Sequence, residues 1–170
     1  MKTVVPQSKW IPDELFHAIQ QHMPVACVDL IVLRKNKDNK IEILLIKRKI
    51  HPEIGKWCVI GGRIIKGESI KDTIERQSKE ELGVSVEILK PWSEDAPLLV
   101  MSDPVSDVQK HFVGLIFPVI IKSGELNMNG PEFSEAKWFE LDKVPKDLGF
   151  GLAHRREIDA FINTELKYNI

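Results

Sequence analysis

Apolar positions along the chain follow two spacings, and the change from one to the other marks out the elements. The segment Trp10–His22 opens with Asp13 and Glu14 and spaces Leu15, Ala18 and Ile19 along one side, which predicts a short helix stopped by Pro24. Val25–Leu33 is nearly all apolar and rich in β-branched residues, as a buried strand requires. A polar turn over 35–40 follows, and Ile41–Ile46 resumes the apolar pattern, so the two runs predict a hairpin. His51–Lys56 reads as a loop and Trp57–Ile60 as a short strand leading to Gly61 and Gly62, a pair that allows a tight turn and close approach of the backbone to a ligand. Ser69–Leu82 reads as a helix with Gly83 at its C-cap, and Val84–Leu89 as an alternating strand. Trp92–Lys110, with three Asp and two Pro, reads as a long connection. After it come a strand at His111–Ile121 interrupted at Pro118, a short strand at Ala136–Leu141, and a closing helix at Ala153–Leu166 whose apolar face is Ile158, Phe161, Ile162 and Leu166. Strands mixed with two or three helices predict one α/β domain in which helices cover a sheet.

Composition narrows the class of protein. At 170 residues, 43% hydrophobic and 29% charged, the chain suits a single globular domain. With 24 Lys and Arg against 25 Asp and Glu, it carries no excess of positive charge for nucleic acid, and no nucleic-acid partner is expected. The longest apolar run, Val113–Ile121, is too short to cross a bilayer, and the first twenty residues show no signal-peptide pattern. The expectation is a cytoplasmic protein without a membrane partner. Cys27 and Cys58 both sit in strand-like apolar contexts and read as buried thiols rather than a disulfide or a metal pair.

The segment Gly61–Val84 carries the candidate chemistry. Glu68 stands at the entry of the following helix, where a carboxylate meets the positive end of the helix dipole, and Ser69 can cap that helix. At 100° per residue, Gln77, Glu80 and Glu81 fall on one arc, and Glu81 shares a face with Ile70 and Ile74. Carboxylates turned inward are costly unless something satisfies them, and a hard divalent cation with oxygen ligands would do so and recruit a phosphate. A solvated helix with an Arg76–Glu80 pair at i,i+4 is the alternative for the two glutamates taken alone.

The segment resembles the Nudix box: Gly, five residues, Glu, seven residues, then Arg-Glu-apolar-x-Glu-Glu-x-Gly-apolar. Gly62, Glu68, Arg76, Glu80, Glu81, Gly83 and Val84 match at that spacing, and the hairpin, the Trp57 strand and the strand near Trp138 fall where the family's fold places them. The resemblance, over about residues 24–145, implies a Nudix-type α/β/α sandwich with a mixed central sheet. It implies one domain over 1–170, with 1–23 as an N-terminal helical extension and 61–84 as the box. Two positions depart from the pattern, Gln77 for Glu and Ser78 for an apolar residue. Gln keeps an oxygen acceptor without charge, which implies fewer or weaker cations than in typical members.

Within the family the chain is similar to GDP-mannose mannosyl hydrolases, which break the same part of the box. The likeness includes the N-terminal helix, Asp29, Lys47–Arg48 and Gly61-Gly62-Arg63. It implies a Mg²⁺-dependent hydrolase (Mn²⁺ is the alternative ion) of a nucleoside diphosphate linked to another group, with a nucleotide sugar such as GDP-mannose among the candidates. In that picture Glu81, Glu80 and a Gly62 carbonyl hold the metal, while Arg48, Arg63 and Asp29 bind substrate and Gln77 orients water without deprotonating it. That subgroup carries a Gln-His pair in the late loop where this chain has Glu132–Phe133, so Glu132 becomes the base. Attack at carbon and attack at phosphorus both stay open. The likeness also implies a homodimer using the N-terminal segment. The reading from another class is a nucleotide-binding sensor that turns nothing over, marked by Gln77.

Other residues carry two readings each. Asp29, in an apolar run, needs a cationic or donor partner, either in a structural ion pair with Arg63 or Arg48 or in contact with a ligand. His111 opens a strand that should enter the core, as a structural or an acid–base histidine. His154, Arg155 and Arg156 start the last helix, as solvated surface or as binding cations. Trp92, Leu98 and Met101 either shape a pocket or pack the core, whereas Trp10, Trp57 and Trp138 read as core.

Overall fold

The computed structural model describes residues 11–51, 53–107, 110–150 and 152–164; Trp10 and Leu166 lie outside them. Helix α1 (Asp13–His22) leads into the hairpin of β1 (Val25–Lys35) and β2 (Ile41–Arg48). Then come β3 (Trp57–Cys58), β4 (Ile60–Arg63), α2 (Ile70–Leu82), β5 (Val84–Ile88), β6 (Leu99–Asp107), β7 (Lys110–Gly124), β8 (Phe133–Glu140) and α3 (Leu152–Ile162). The order β3-β2-β1-β7-β5 forms the main path of one sheet, with β4 on β1, β6 on β7 and β8 on β2. The sheet is mixed: β1 runs parallel to β7 and antiparallel to β2 and β4.

The hairpin strands explain the layering. Successive side chains of a strand point to opposite faces. Val28, Leu30 and Val32 of β1, with Leu44 and Ile46 of β2, join one buried cluster with Ile74 and Leu82 of α2. Ile31 and Leu33, with Ile43 and Leu45, join a second cluster with Ile158 and Phe161 of α3. A strand buried on both faces shows an apolar run without alternation, which is why β1 and β2 read as continuous. Helix α2 covers one face and α3 the other, giving the α/β/α sandwich. The boundaries of α2 follow from its caps. Ser69 and Asp72 form a reciprocal capping box, and Gly83 ends the helix in the left-handed conformation at φ 74°.

Three expectations are corrected. Gly61 and Gly62 do not form a tight turn; they lie in β4, paired with Asp29 and Val28 of β1. The Trp92–Lys110 connection contains β6, a strand beside β7 whose polar, proline-bearing sequence hides its pairing. Strand β7 also runs unbroken through Pro118. The β6 ladder on its far edge ends at Ile116 and the β5 ladder begins at Val119, so the missing N–H falls in the gap between them. The Pro118 carbonyl on that side accepts from the Leu89 N–H.

Of the residues with two readings, Trp92 packs against Phe161 in the α3-side cluster, joined by Leu98 and Trp57. Trp138 lies under the Arg34 guanidinium, 4.2 Å from its ring centre. His111 stays partly exposed rather than entering the core, with Nε2 2.7 Å from the Ser102 hydroxyl. Cys27 and Cys58 are free and buried, and burial pushes both thiols up, Cys58 to about 12. Among the described residues no helix is long and apolar enough to cross a membrane.

Candidate active site

Helix α2 presents a connected set of polar side chains along one wall of a cleft. Arg76 is the hub: its Nε donates to Glu68 Oε1 at 2.7 Å, and its Nη2 donates to Glu68 Oε2 and to the Arg63 carbonyl, each at 3.0 Å. The Ile65 N–H and the Thr73 hydroxyl complete the shell of Glu68. These bonds, Arg76 first, hold the Glu68 carboxyl below its ordinary range. Glu68 therefore fastens the loop before α2 to the helix rather than facing the cleft.

Farther along α2, Gln77 and Glu81 turn inward as the helical spacing predicts, and Glu81 is only 9% exposed. With its amide nitrogen facing Glu81, Gln77 donates to Glu81 Oε1 at 2.6 Å and accepts from Arg76 Nη1 at 3.1 Å. Gln77 thus links Arg76 to Glu81. Burial, and then the charge of Glu132, lift the Glu81 carboxyl to about 8. Glu80 sits at the rim, with its side chain 53% exposed and 3.5 Å from Arg76 Nη1.

The opposite wall comes from the strands. Side chains at positions 61 and 62 would collide with the Asp29 carboxylate and the Gln77 amide, so only glycine lets β4 approach both groups. Asp29 lies under β4 on the α3 side of β1, and burial raises its carboxyl to about 7. The Arg48 guanidinium, at the end of β2, is 3.7 Å from Glu132 and 5.3 Å from the centre of the Phe150 ring. Arg63 lies over Phe16 of α1 at 4.3 Å, so the N-terminal helix borders the cleft. Glu53 and Phe150, both on the cleft, hold positive φ of 69° and 57°. Left-handed backbone is strained for residues with a side chain and gathers at functional sites. The cleft encloses about 1060 Å³ and is lined by all the predicted site residues: Asp29, Arg48, Gly62, Arg63, Gln77, Glu80, Glu81 and Glu132.

Two cleft residues on α3 differ from the sequence reading: His154, read as solvated surface or a binding cation, is buried, and Glu157 was not singled out. His154 and Glu157 are buried together with Ala153, Ile158 and Phe161. Burial, and then the charge of Arg48, push the His154 imidazole down to about 3, so it is neutral. Its Nδ1 accepts the Val59 N–H at 3.4 Å. Glu157 is 1% exposed, and its Oε2 has no hydrogen-bond partner among the described residues. The signal was present, since an inward stripe through Ala153, Ile158 and Phe161 carries positions 154 and 157 with it. Arg155 instead pairs with Asp159 at 2.7 Å, and Arg156 is exposed.

Among the described residues, no three His, Cys, Asp or Glu side chains converge as a metal cage. The chemistry of the donors still fits a magnesium-like ion. Burial and the neighbouring charges of Glu132 and Asp29 raise the Glu81 carboxyl, and a cation held by one or two carboxylates and completed by water and phosphate would relieve that repulsion.

The NUDIX domain family model matches residues 23–161, and the chain belongs to that family. The ADP-ribose pyrophosphatase of Methanocaldococcus jannaschii is 35% identical over 123 residues, covering 72% of this chain and 66% of its own length. The chain thus spans about two thirds of that relative. The low-salt glycan biosynthesis protein Agl8 of Haloferax volcanii is 32% identical over 130 residues, covering 76% of this chain and 80% of its own length. Among solved structures, the MutT NUDIX hydrolase from Burkholderia pseudomallei superposes with a TM-score of 0.66 at 26% identity, covering 82% of this chain and 98% of that one. By family and fold the chain groups with the Nudix hydrolases.

Proposed function

We propose that this protein is a magnesium-dependent hydrolase of a nucleoside diphosphate linked to a second group, nucleotide sugars among its candidate substrates. The observation that carries the reading is the meeting of Arg48, Arg63, Glu81 and Glu132 on one cleft, with Gly61 and Gly62 of β4 leaving the backbone bare beside them. Names of relatives support the substrate class: one is an ADP-ribose pyrophosphatase and another a glycan biosynthesis protein.

Arg48 and Arg63 bind the diphosphate, where a guanidinium fork matches phosphate oxygens. Glu81, with Glu80 at the rim and the Gly62 carbonyl, would hold Mg²⁺, which when bound neutralises charge on the departing phosphate. Gln77 fixes Glu81 through its amide. Glu132 takes the proton as a water oxygen bonds to the reacting centre and the bond to the leaving phosphate breaks. The site's fixed charges act where negative charge develops, which is commonly the largest catalytic effect. A homodimer in the cytoplasm, joined through the N-terminal segment, belongs to the same reading; exposed Leu15 and Met23 offer apolar surface for it.

The test is a panel of nucleotide sugars and dinucleotides with Mg²⁺ in ¹⁸O-labelled water. Turnover is expected, with label on phosphate for attack at phosphorus and on the sugar for attack at carbon. Glu81→Gln is expected to lose about 10²–10³-fold in kcat. No turnover of any member, or Mg²⁺-dependent activity unchanged in Glu81→Gln, would overturn the reading. A second reading, a nucleotide sensor, is favoured by Gln77, whose amide takes up a Glu81 oxygen. Tight nucleotide binding with no hydrolysis across the panel supports it.

A further inference from the structure

Helix α1 lies wholly ahead of residues 23–161, the span that the family model matches, yet it walls part of the cleft. Asp13, Phe16 and Gln20 recur at spacings of three and four, which brings them to one side of the helix, and all three line the cleft. Leu15, on the other side, is 51% exposed, whereas Gln20 is buried. Only Met23 and Pro24 separate α1 from β1, whose Cys27 pairs with Arg63 of β4. The short link keeps the helix beside that arginine. The backbone of Arg63 is fixed from elsewhere, by the bond from Arg76 Nη2 to its carbonyl at 3.0 Å. Its side chain is a long, flexible stem. The guanidinium carbon lies over the Phe16 ring, 4.3 Å from the ring centre, well within the range of a cation–π contact.

The geometry points to Phe16 as a positioning residue, whose ring holds the Arg63 guanidinium in the direction from which it grips the diphosphate of the substrate. The inference rests on the proposed nucleoside diphosphate chemistry and adds to it an element from outside the family match. A guanidinium fork meets two phosphate oxygens only in particular directions. An arginine left to sample its rotamers loses that freedom when it grips a ligand, and a ring that already restricts them leaves less to lose. Phe16 restricts the guanidinium without competing for its N–H groups, because a phenyl ring carries no conventional hydrogen-bonding atom. The same construction stands across the cleft, where the Arg48 guanidinium lies 5.3 Å from the centre of the Phe150 ring. Phe150 keeps a positive φ of 57° at that place. Each arginine assigned to the diphosphate thus meets a phenyl ring, and the two rings come from opposite ends of the chain.

The experiment measures by calorimetry, with Mg²⁺ present, the affinity of the full chain for ADP, GDP, UDP and CDP, and carries the tightest forward. Phe16→Leu keeps apolar bulk on α1 and removes the ring, and is expected to weaken that diphosphate about three- to thirtyfold. Phe16→Tyr, which restores a ring face, is expected to bind within about twofold of the native protein. For any substrate of the panel that is turned over, the loss is expected in KM, with kcat kept within about twofold. In an Arg63→Gln background, which has no cation to hold, Phe16→Leu is expected to cost less than about twofold further. Unchanged affinity in Phe16→Leu, or a loss that Phe16→Tyr does not recover, overturns the inference. The same loss with Arg63→Gln also overturns it, by making Phe16 a ligand contact or an anchor of α1. Binding of none of the four diphosphates overturns it as well. Turnover with Phe16→Leu unaffected removes the inference and leaves the proposed function standing. No turnover, with diphosphate affinity lost in Phe16→Leu and recovered in Phe16→Tyr, removes hydrolysis and supports the inference.

Discussion

The two helices that wall the cleft treat their polar side chains in opposite ways. Glu68, just before α2, and Arg76, Gln77 and Glu81 on the helix are joined by a chain of hydrogen bonds, and the first turn closes on its own capping box. On α3, Glu157 is left with an orphan oxygen, and His154 is held uncharged by burial. A self-satisfied wall is organised before any ligand arrives and keeps reacting groups at fixed positions. An unsatisfied wall sacrifices stability that a ligand can restore. The two walls therefore differ in how much of their polar surface is satisfied within the protein itself.

The contrast can be broken from the α2 side first. Arg76→Ala removes the hub and strands Glu68, and is expected to cost about 3–5 kcal/mol in denaturant unfolding, the usual effect of breaking a buried ion pair. A loss within the range of exposed pairs would mean that the α2 wall is not preorganised. From the α3 side the sign reverses. Glu157→Leu removes the orphan with little change in volume and is expected to raise stability by about 1–3 kcal/mol in the same assay. Loss of stability would show that Glu157 is satisfied in solution.

The smallest effect is a slope. The Glu81 carboxyl titrates at about 8 in the folded chain against an ordinary 4.5. Between those values the native state keeps a proton that the unfolded state has released, so stability without metal falls as pH rises through that window. Asp29, raised from 3.8 to about 7, adds the same sign at lower pH. His154, lowered from 6.5 to about 3, acts oppositely, with stability falling as pH drops between those values. Thermal melts from pH 5 to 8 without divalent ions, compared with Glu81→Gln, check the Glu81 part. The variant should flatten the upper half of the curve, and an unchanged slope would assign it elsewhere.

The α2 wall was legible in the sequence because its information is local. Caps, helical spacing and the box lie within one continuous stretch, and Gln77 and Glu81 face inward as that spacing requires. The tight turn expected at the glycines was a misreading, because what constrains them is distant in sequence: Asp29 stands across β4, and the Gln77 amide comes from α2. Strand β6 was missed because its polar, proline-bearing residues carry no alternation that distinguishes an edge from a loop. Burial of His154 was not foreseen and Glu157 was passed over, because charged residues near a helix start resemble surface. Only the sheet that α3 covers makes that side an interior.

Strand β1 serves two interiors at once, with alternate residues given to α2 and to α3. Adding or deleting one residue within it would exchange the two sets and swing Asp29 from beneath β4 to the other side of the sheet. Length variation in this part of the chain is expected at the turn over 36–40, where an extra residue would disturb only local hydrogen bonds and neither buried cluster. The hairpin acts as a ruler whose tolerance lies entirely at its tip.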